Sequence, residues 1–192
     1  NFWAYARIDI MDRELLETMK KAGINWLCWG IETGSETIRK NVLKGKFDNN
    51  RIKNIISLSK EYGINNLGNF MFGFRDDTLE TMQETLDFAK ELNCEFVNFY
   101  NTVAYPGSVL YDEMIAEGVK LPNSWSQYAQ MSKDFLPLST KTVDYREVRS
   151  FRDEAFDDYF NNPKYLKMME NKFGDKVINE INNMKSIKIE RQ

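Results

Sequence analysis

The feature that most restricts the fold is a junction that occurs three times. Lys21-Ala22-Gly23-Ile24-Asn25, Glu61-Tyr62-Gly63-Ile64-Asn65 and Glu91-Leu92-Asn93-Cys94-Glu95 each close a stretch of helical periodicity and open an apolar run. Glycine and asparagine tolerate the left-handed conformation in which helices commonly end, so each junction reads as a helix-to-strand turn. The runs that follow, residues 24–31, 64–74 and 94–103, are near-continuous rather than alternating, and residues 2–10 form an earlier fourth. Runs of that kind belong to strands buried on both faces of a parallel sheet.

Helices fill the intervals. Asp12 is placed to cap a helix with Leu15, Leu16 and Met19 on one face, and Ile52, Ile55, Ile56 and Ser59 stripe a second. Asp77 with Glu80 has the spacing of a capping box before Met82 and Leu86. Pro106-Gly107-Ser108 stops a strand and starts a helix holding Leu110, Met114 and Ile115. Four strand–helix units with right-handed crossovers predict an α/β fold, a partial TIM-type (β/α) barrel of about four parallel strands with outer helices, over residues 1–118. Periodicity leaves a doubly wound sheet open as the competing architecture. Residues 119–143 carry Pro122, Pro137, Trp125 and Tyr128 without a sustained period and read as an ordered connection. A helix returns at Asp144 and stops before Pro163, and two more follow over 164–172 and 175–185. Residues 119–192 are thus expected to form a connecting segment and a helical C-terminal extension.

Composition excludes several chemistries. The 192 residues contain no histidine, which rules out Ser-His-Asp and Cys-His nucleophilic sites, zincin motifs and any histidine general base. A net charge of −3 makes no electrostatic case for nucleic acid or an anionic membrane. No apolar run approaches a membrane span. Two cysteines, Cys28 and Cys94, make no disulfide framework, so a reducing cytoplasm is the default. The chain opens Asn1-Phe2-Trp3, already strand-like, and reads as a piece of a longer polypeptide.

In parallel α/β architectures ligands bind beyond the C-terminal ends of the strands. Those ends read Ala6-Arg7-Ile8-Asp9, Gly30-Ile31-Glu32-Thr33-Gly34-Ser35, Phe72-Gly73-Phe74-Arg75 and Ala104-Tyr105-Pro106-Gly107-Ser108. Gly30-Ile31-Glu32-Thr33-Gly34-Ser35, Phe70-Met71-Phe72-Gly73-Phe74 and Tyr105-Pro106-Gly107-Ser108, in that order and with matching helices, resemble the second half of a radical S-adenosylmethionine (SAM) barrel. The segment Arg152 to Phe160 with Asn162-Pro163 resembles the helix that follows the barrel in the cobalamin-binding group of that superfamily.

The resemblance implies cofactor contacts at Glu32, Gly34, Ser35, Gly73, Arg7 and Tyr105. Glu32 would take the ribose hydroxyls of SAM; the plain reading is a carboxylate at a helix N-terminus capped by Ser35. Gly73 would border the adenine, with Asn69 and Met71 lining the same pocket, or be a simple turn glycine. Arg7 and Asp9 would point towards SAM or substrate, or pair locally. Tyr105, Pro106 and Gly107 match the last-strand loop, and Trp125 and Tyr128 are candidates to cover the substrate opening. Cys28 and Cys94 read as small buried hydrophobes.

The superfamily's three-cysteine loop for a [4Fe-4S] cluster, its Gly-Gly-Glu-like segment and any cobalamin-binding Asp-x-His motif have no counterpart here. The expectation is therefore a fragment of a radical SAM iron–sulfur enzyme, inactive alone, with SAM and the cluster belonging to the intact parent and cobalamin left open. The substrate is unidentified. A non-catalytic scaffolding domain and an unrelated α/β-barrel enzyme with a phosphate-type ligand are the alternatives. A bare edge on the first strand predicts either self-association or cover from the missing N-terminal half.

Overall fold

The computed structural model describes residues 2–42 and 47–192. All three predicted junctions take the left-handed turn: φ is +89° at Gly23, +64° at Gly63 and +48° at Asn93. They join helix α1 (Arg13–Lys21) to strand β2 (Ile24–Glu32), α3 (Asn49–Glu61) to β3 (Asn65–Phe72), and α4 (Leu79–Leu92) to β4 (Phe96–Asn101). Strand β1 is Phe2–Ala6, shorter than its apolar run, and Ile8 and Met11 are buried in the loop beyond the strand end. A short helix α2 (Glu36–Asn41) follows β2.

Asp12 caps α1 as expected, accepting a 2.8 Å hydrogen bond from the Leu15 N–H. The cap of α4 is different from the sequence reading. Thr78 and Thr81 form the reciprocal box, because Asp77 is committed elsewhere. Its carboxylate accepts from the N–H groups of Gly73 (3.0 Å) and Phe74 (2.9 Å) and from the Thr81 hydroxyl (2.7 Å). Burial pushes the Asp77 carboxyl up from its ordinary range, against the pull of those donors.

Among the described residues the strands form one parallel sheet in the order β1-β2-β3-β4, each paired with its chain neighbour. A doubly wound sheet needs a reversal of strand order and helices on both faces. Neither is present among the described residues, and the arc of a barrel is the architecture. Side chains alternate across it. Leu27, Trp29, Ile31, Phe70, Phe72, Val97 and Phe99, all at 1% exposure or less, lie under the helices. Trp26, Gly30, Leu67, Asn69, Met71, Phe96, Asn98 and Tyr100 share the other face and are half-buried. That face is open, and at β1 it ends in Trp3 and Tyr5, 61% and 75% exposed.

The helix following β4, α5 (Val109–Ala116), does not cover that strand. It builds a small cluster of its own with Ala104, Met114 and Leu138. The cover over β4 comes from α7 (Tyr145–Phe160), beyond a connection that holds only the short α6 (Trp125–Tyr128). Phe151 meets Phe72 edge-on at 5.0 Å, Tyr159 meets Phe99 at 5.9 Å, and the Tyr159 hydroxyl donates to the Cys94 carbonyl at 2.7 Å. Helix α8 (Pro163–Phe173) closes the N-terminal ends of the strands: Tyr165 donates to the Glu95 carbonyl, Lys172 pairs with the buried Glu95 carboxylate at 2.5 Å, and Phe173 stacks on Trp26. With α9 (Lys176–Ser186) these helices share one core cluster with the sheet.

The outer edge of β4 is blunted by side chains. The Gln130 amide accepts from the Asn101 N–H (3.0 Å) and donates to its carbonyl (2.9 Å), imitating a neighbouring strand, and Arg152 donates to the Phe99 carbonyl. Among the described residues no helix is long and apolar enough to cross a membrane.

Candidate active site

The C-terminal end of β2 carries a bulge. Gly30 pairs with Asn69, but the next pairing is Glu32 with Phe70, so Ile31 and Glu32 together oppose one residue. Glu32 absorbs the extra residue by adopting φ +68°, a left-handed conformation uncommon outside glycine. Its carboxylate folds back over Gly30 so closely that a Cβ there would sit 2.9 Å from Oε1. Glycine at 30 is therefore what lets the Glu32 carboxylate lie on the open face, with Trp26 and Cys28 below it.

The chain then turns into the helix layer. Thr33 donates its N–H back to the Ile31 carbonyl, and its hydroxyl lies 3.0 Å from that of Thr85 on α4. The Gly34 N–H donates to the same Thr85 hydroxyl, and a Cβ on Gly34 would meet Phe88 Cβ at 2.6 Å and the Glu84 carbonyl at 2.8 Å. Gly34 is thus a close-packing residue beneath α4, with its N–H already taken. Ser35 stands at the start of α2 but makes no side-chain cap; it is buried, and its N–H donates to Thr33 Oγ1. The capping role read from the sequence is not made.

Gly73, at φ +83°, is likewise closed off: a Cβ would lie 2.5 Å from Val148 Cγ1 on α7. The backbone there approaches a helix. Arg7 and Asp9 form a local ion pair at 2.6 Å, and the guanidinium holds the Asp9 carboxyl below its ordinary range. Tyr105 is exposed and stacks on Tyr128 at 5.6 Å, with Trp125 tilted against Tyr128 at 6.1 Å, so these three form one aromatic group beyond β4. Gly107 makes the turn at φ +84°, and Ser108 caps α5 through the Tyr111 N–H.

Two arrangements escaped the sequence reading. The first is a polar ladder across the open face: Asn98 Nδ2 donates to Asn69 Oδ1 (2.9 Å), and Asn69 Nδ2 donates to Cys28 Sγ (3.0 Å) and the Trp29 carbonyl (3.2 Å). Asparagines at alternate positions of apolar runs were the available signal. The second is Arg39, 3% exposed, whose side chain donates to the Thr33 carbonyl while Nε and Nη1 are buried without an acceptor. It borders a cleft of about 520 Å³ with Asp9, Glu36, Lys40, Phe47, Asp48 and Arg51. Burial lowers its pKa, opposed by Glu36 and Asp48. Those two acids are spent on α3, accepting from the N–H groups of Asn49 and Arg51.

The cysteines offer no metal site. Cys94 is fully buried and its thiol is pushed up to about 12; burial also raises the Cys28 thiol, against the hydrogen bond from Asn69. They lie on different strands or strand ends, and among the described residues no cluster of histidine, cysteine and acids could hold a metal ion.

Residues 5–89 match the model of the radical SAM superfamily. The chain is 26% identical over 163 residues to an uncharacterized methyltransferase, PH0819, of Pyrococcus horikoshii, a match covering 85% of this chain and 35% of that protein. It is 34% identical over 102 residues to a putative methylthiotransferase, MJ0865, of Methanocaldococcus jannaschii, covering 52% and 22%. The chain therefore spans about a third or less of the length of these curated relatives. The fold is shared with the radical SAM methyltransferase TsrM of Kitasatospora setae, at 19% identity and a TM-score of 0.56 over 63% of this chain and 24% of that one. Four parallel strands in chain order, a glycine-cradled carboxylate at the end of the second and the match over residues 5–89 make this chain similar to the radical SAM superfamily over its sheet.

Proposed function

We propose that this chain is the C-terminal half of the partial barrel, with its extension, of an enzyme that binds SAM over the open face of the sheet and transfers a methyl or methylthio group. The observation that carries the reading is the Glu32 carboxylate, set on the open face at a strand's C-terminal end by a bulge and a glycine. A carboxylate there can accept both hydroxyls of a ribose diol. The names of the relatives support the transferase class, and the fold shared with TsrM, solved with cobalamin and a [4Fe-4S] cluster, brings the chain towards the cobalamin-binding group.

When bound, SAM and a reduced [4Fe-4S] cluster supply the methyl group or the 5′-deoxyadenosyl radical. The residues here fit the SAM part of that pair and not the cluster. A cluster needs converging thiolates, whereas Cys28 and Cys94 are two buried thiols held protonated. Cluster ligands must be supplied from outside this chain, which alone is inactive in this reading. What the chain contributes is the ribose carboxylate, an apolar floor of Leu67 and Met71 that keeps water from the ligand, and a rigid backing of helices.

The test is Glu32→Ala in the full-length protein, with SAM affinity measured by calorimetry without oxygen. Charged hydrogen bonds are worth about 1.5–3 kcal/mol each, so affinity should fall at least about tenfold. Unchanged affinity refutes the assignment.

The same reading gives the free edge of β1 a partner. We propose that a further strand of the barrel pairs there and covers Trp3 and Tyr5, and that the isolated chain self-associates through this edge. Sedimentation of the 192-residue chain is expected to show concentration-dependent association. A monomer whose Trp3 and Tyr5 amides exchange freely would sink the idea.

A further inference from the structure

At the opposite edge of the sheet from β1 lies a cleft of about 740 Å³, bounded by the first residues of β4, by α7, and by the end of α9 with the tail that follows it. Its size falls within the range of small-molecule sites, about 300–1,000 Å³. The walls are largely apolar, built from Phe96, Phe156, Met131, Met184 and Ile187. Two of the three acidic groups along it are paired: Asp153 is gripped by Arg152 and Arg191, and Asp157 by Lys188, while Glu190 lies on the tail at the rim.

On the β4 wall of the cleft Asn98 has capacity to spare, and its orientation follows from the ladder across the open face. The Trp29 carbonyl can only accept, so the Asn69 atom 3.2 Å from it is the amide nitrogen. Asn69 Oδ1 is then the atom facing Asn98, which must present its own nitrogen at 2.9 Å. That leaves Asn98 Oδ1, in a half-buried residue lining the cleft, accepting no hydrogen bond among the described residues. A carbonyl oxygen in an apolar wall favours a ligand that brings a donor to it.

We propose that this cleft binds a small, largely apolar molecule bearing an O–H or N–H donor, and that Asn98 selects for that donor. Asn69 acts through Asn98 as a positioning residue, since its two donated bonds fix which way the Asn98 amide points. The proposal does not depend on radical chemistry or on the role of Glu32.

The experiment uses the full 192-residue chain with methyl-¹³C methionine, titrated at pH 7 with 2-naphthol and, separately, with 2-methoxynaphthalene, which has the same ring system without the donor. The Met131 and Met184 methyl signals are expected to shift, with 2-naphthol binding about fivefold more tightly, the value of one neutral hydrogen bond of about 1 kcal/mol. Asn98→Leu, of similar volume, should abolish the preference and leave the ether's affinity unchanged. Equal affinities of the two probes for the unmodified chain would overturn the role of Asn98, a result that needs no variant. Shifts confined to other methionines, or none at all, would overturn the cleft itself.

Discussion

A chain ending at Gly118 is expected not to fold. Its sheet would keep α1, α3 and α4, but Phe72, Val97 and Phe99 would face water, because their cover is α7 and not the helix adjoining β4 in sequence. Val148, Tyr159, Phe160 and Tyr165, each at most 1% exposed, leave with the extension. At about 1.5–3 kcal/mol per buried side chain, their loss amounts to about 6–12 kcal/mol. That matches the whole net stability of a typical domain, about 5–15 kcal/mol. Two hydrogen bonds that satisfy the carbonyls of Cys94 and Glu95 go as well. Urea unfolding followed by near-ultraviolet circular dichroism decides the matter. The full chain should show a cooperative transition and residues 1–118 none; a cooperative transition in the truncated chain would show that the sheet carries its own core.

Gly73→Ala is expected to cost about 2–5 kcal/mol. Two effects add at this position. A non-glycine residue in left-handed backbone costs about 1–2 kcal/mol, and overpacking against a fixed neighbour costs about 1–3 kcal/mol. Here the neighbour is Val148 Cγ1, 2.5 Å from the new methyl, on the helix that closes the core. Val148→Ala removes the steric part and not the backbone part. The double variant should therefore be at least about 1 kcal/mol more stable than the sum of the two single changes, measured by urea unfolding as a double-mutant cycle. A neutral Gly73→Ala, or strict additivity, would mean that α7 does not press on this turn.

The parts of the fold legible in the sequence were those governed by local chemistry. Gly23, Gly63 and Asn93 announced their turns because only residues tolerant of positive φ end a helix there cheaply, and the apolar runs announced the parallel strands. Asp77 was misread for a reason equally physical: an acid before a helix looks like a cap, and nothing local shows that the Gly73 and Phe74 amides claim it first. The role of α7 was invisible for the opposite reason. Its amphipathic pattern shows that it packs, while the choice of β4 as its partner is a tertiary fact. At the site, the position of Glu32 at a strand end could be read, but not the bulge that turns its carboxylate over Gly30. The glycines at 34 and 73 read as ligand-facing backbone, and the structure shows them as contact points for helices, since sequence marks where a chain must come close to something without naming what.

The strict chain order of the strands also bears on how the protein is made. Each strand pairs with the one synthesised just before it, so the sheet grows by addition at one edge and needs no early long-range pairing. A nascent chain can lay down β1 to β4 as they leave the ribosome. Completion waits on α7: until about residue 160 has emerged, Phe72 and Phe99 are without their cover and the sheet is at its stickiest. The connection between β4 and α7 thus sets a delay, the interval in translation during which this polypeptide most needs a chaperone.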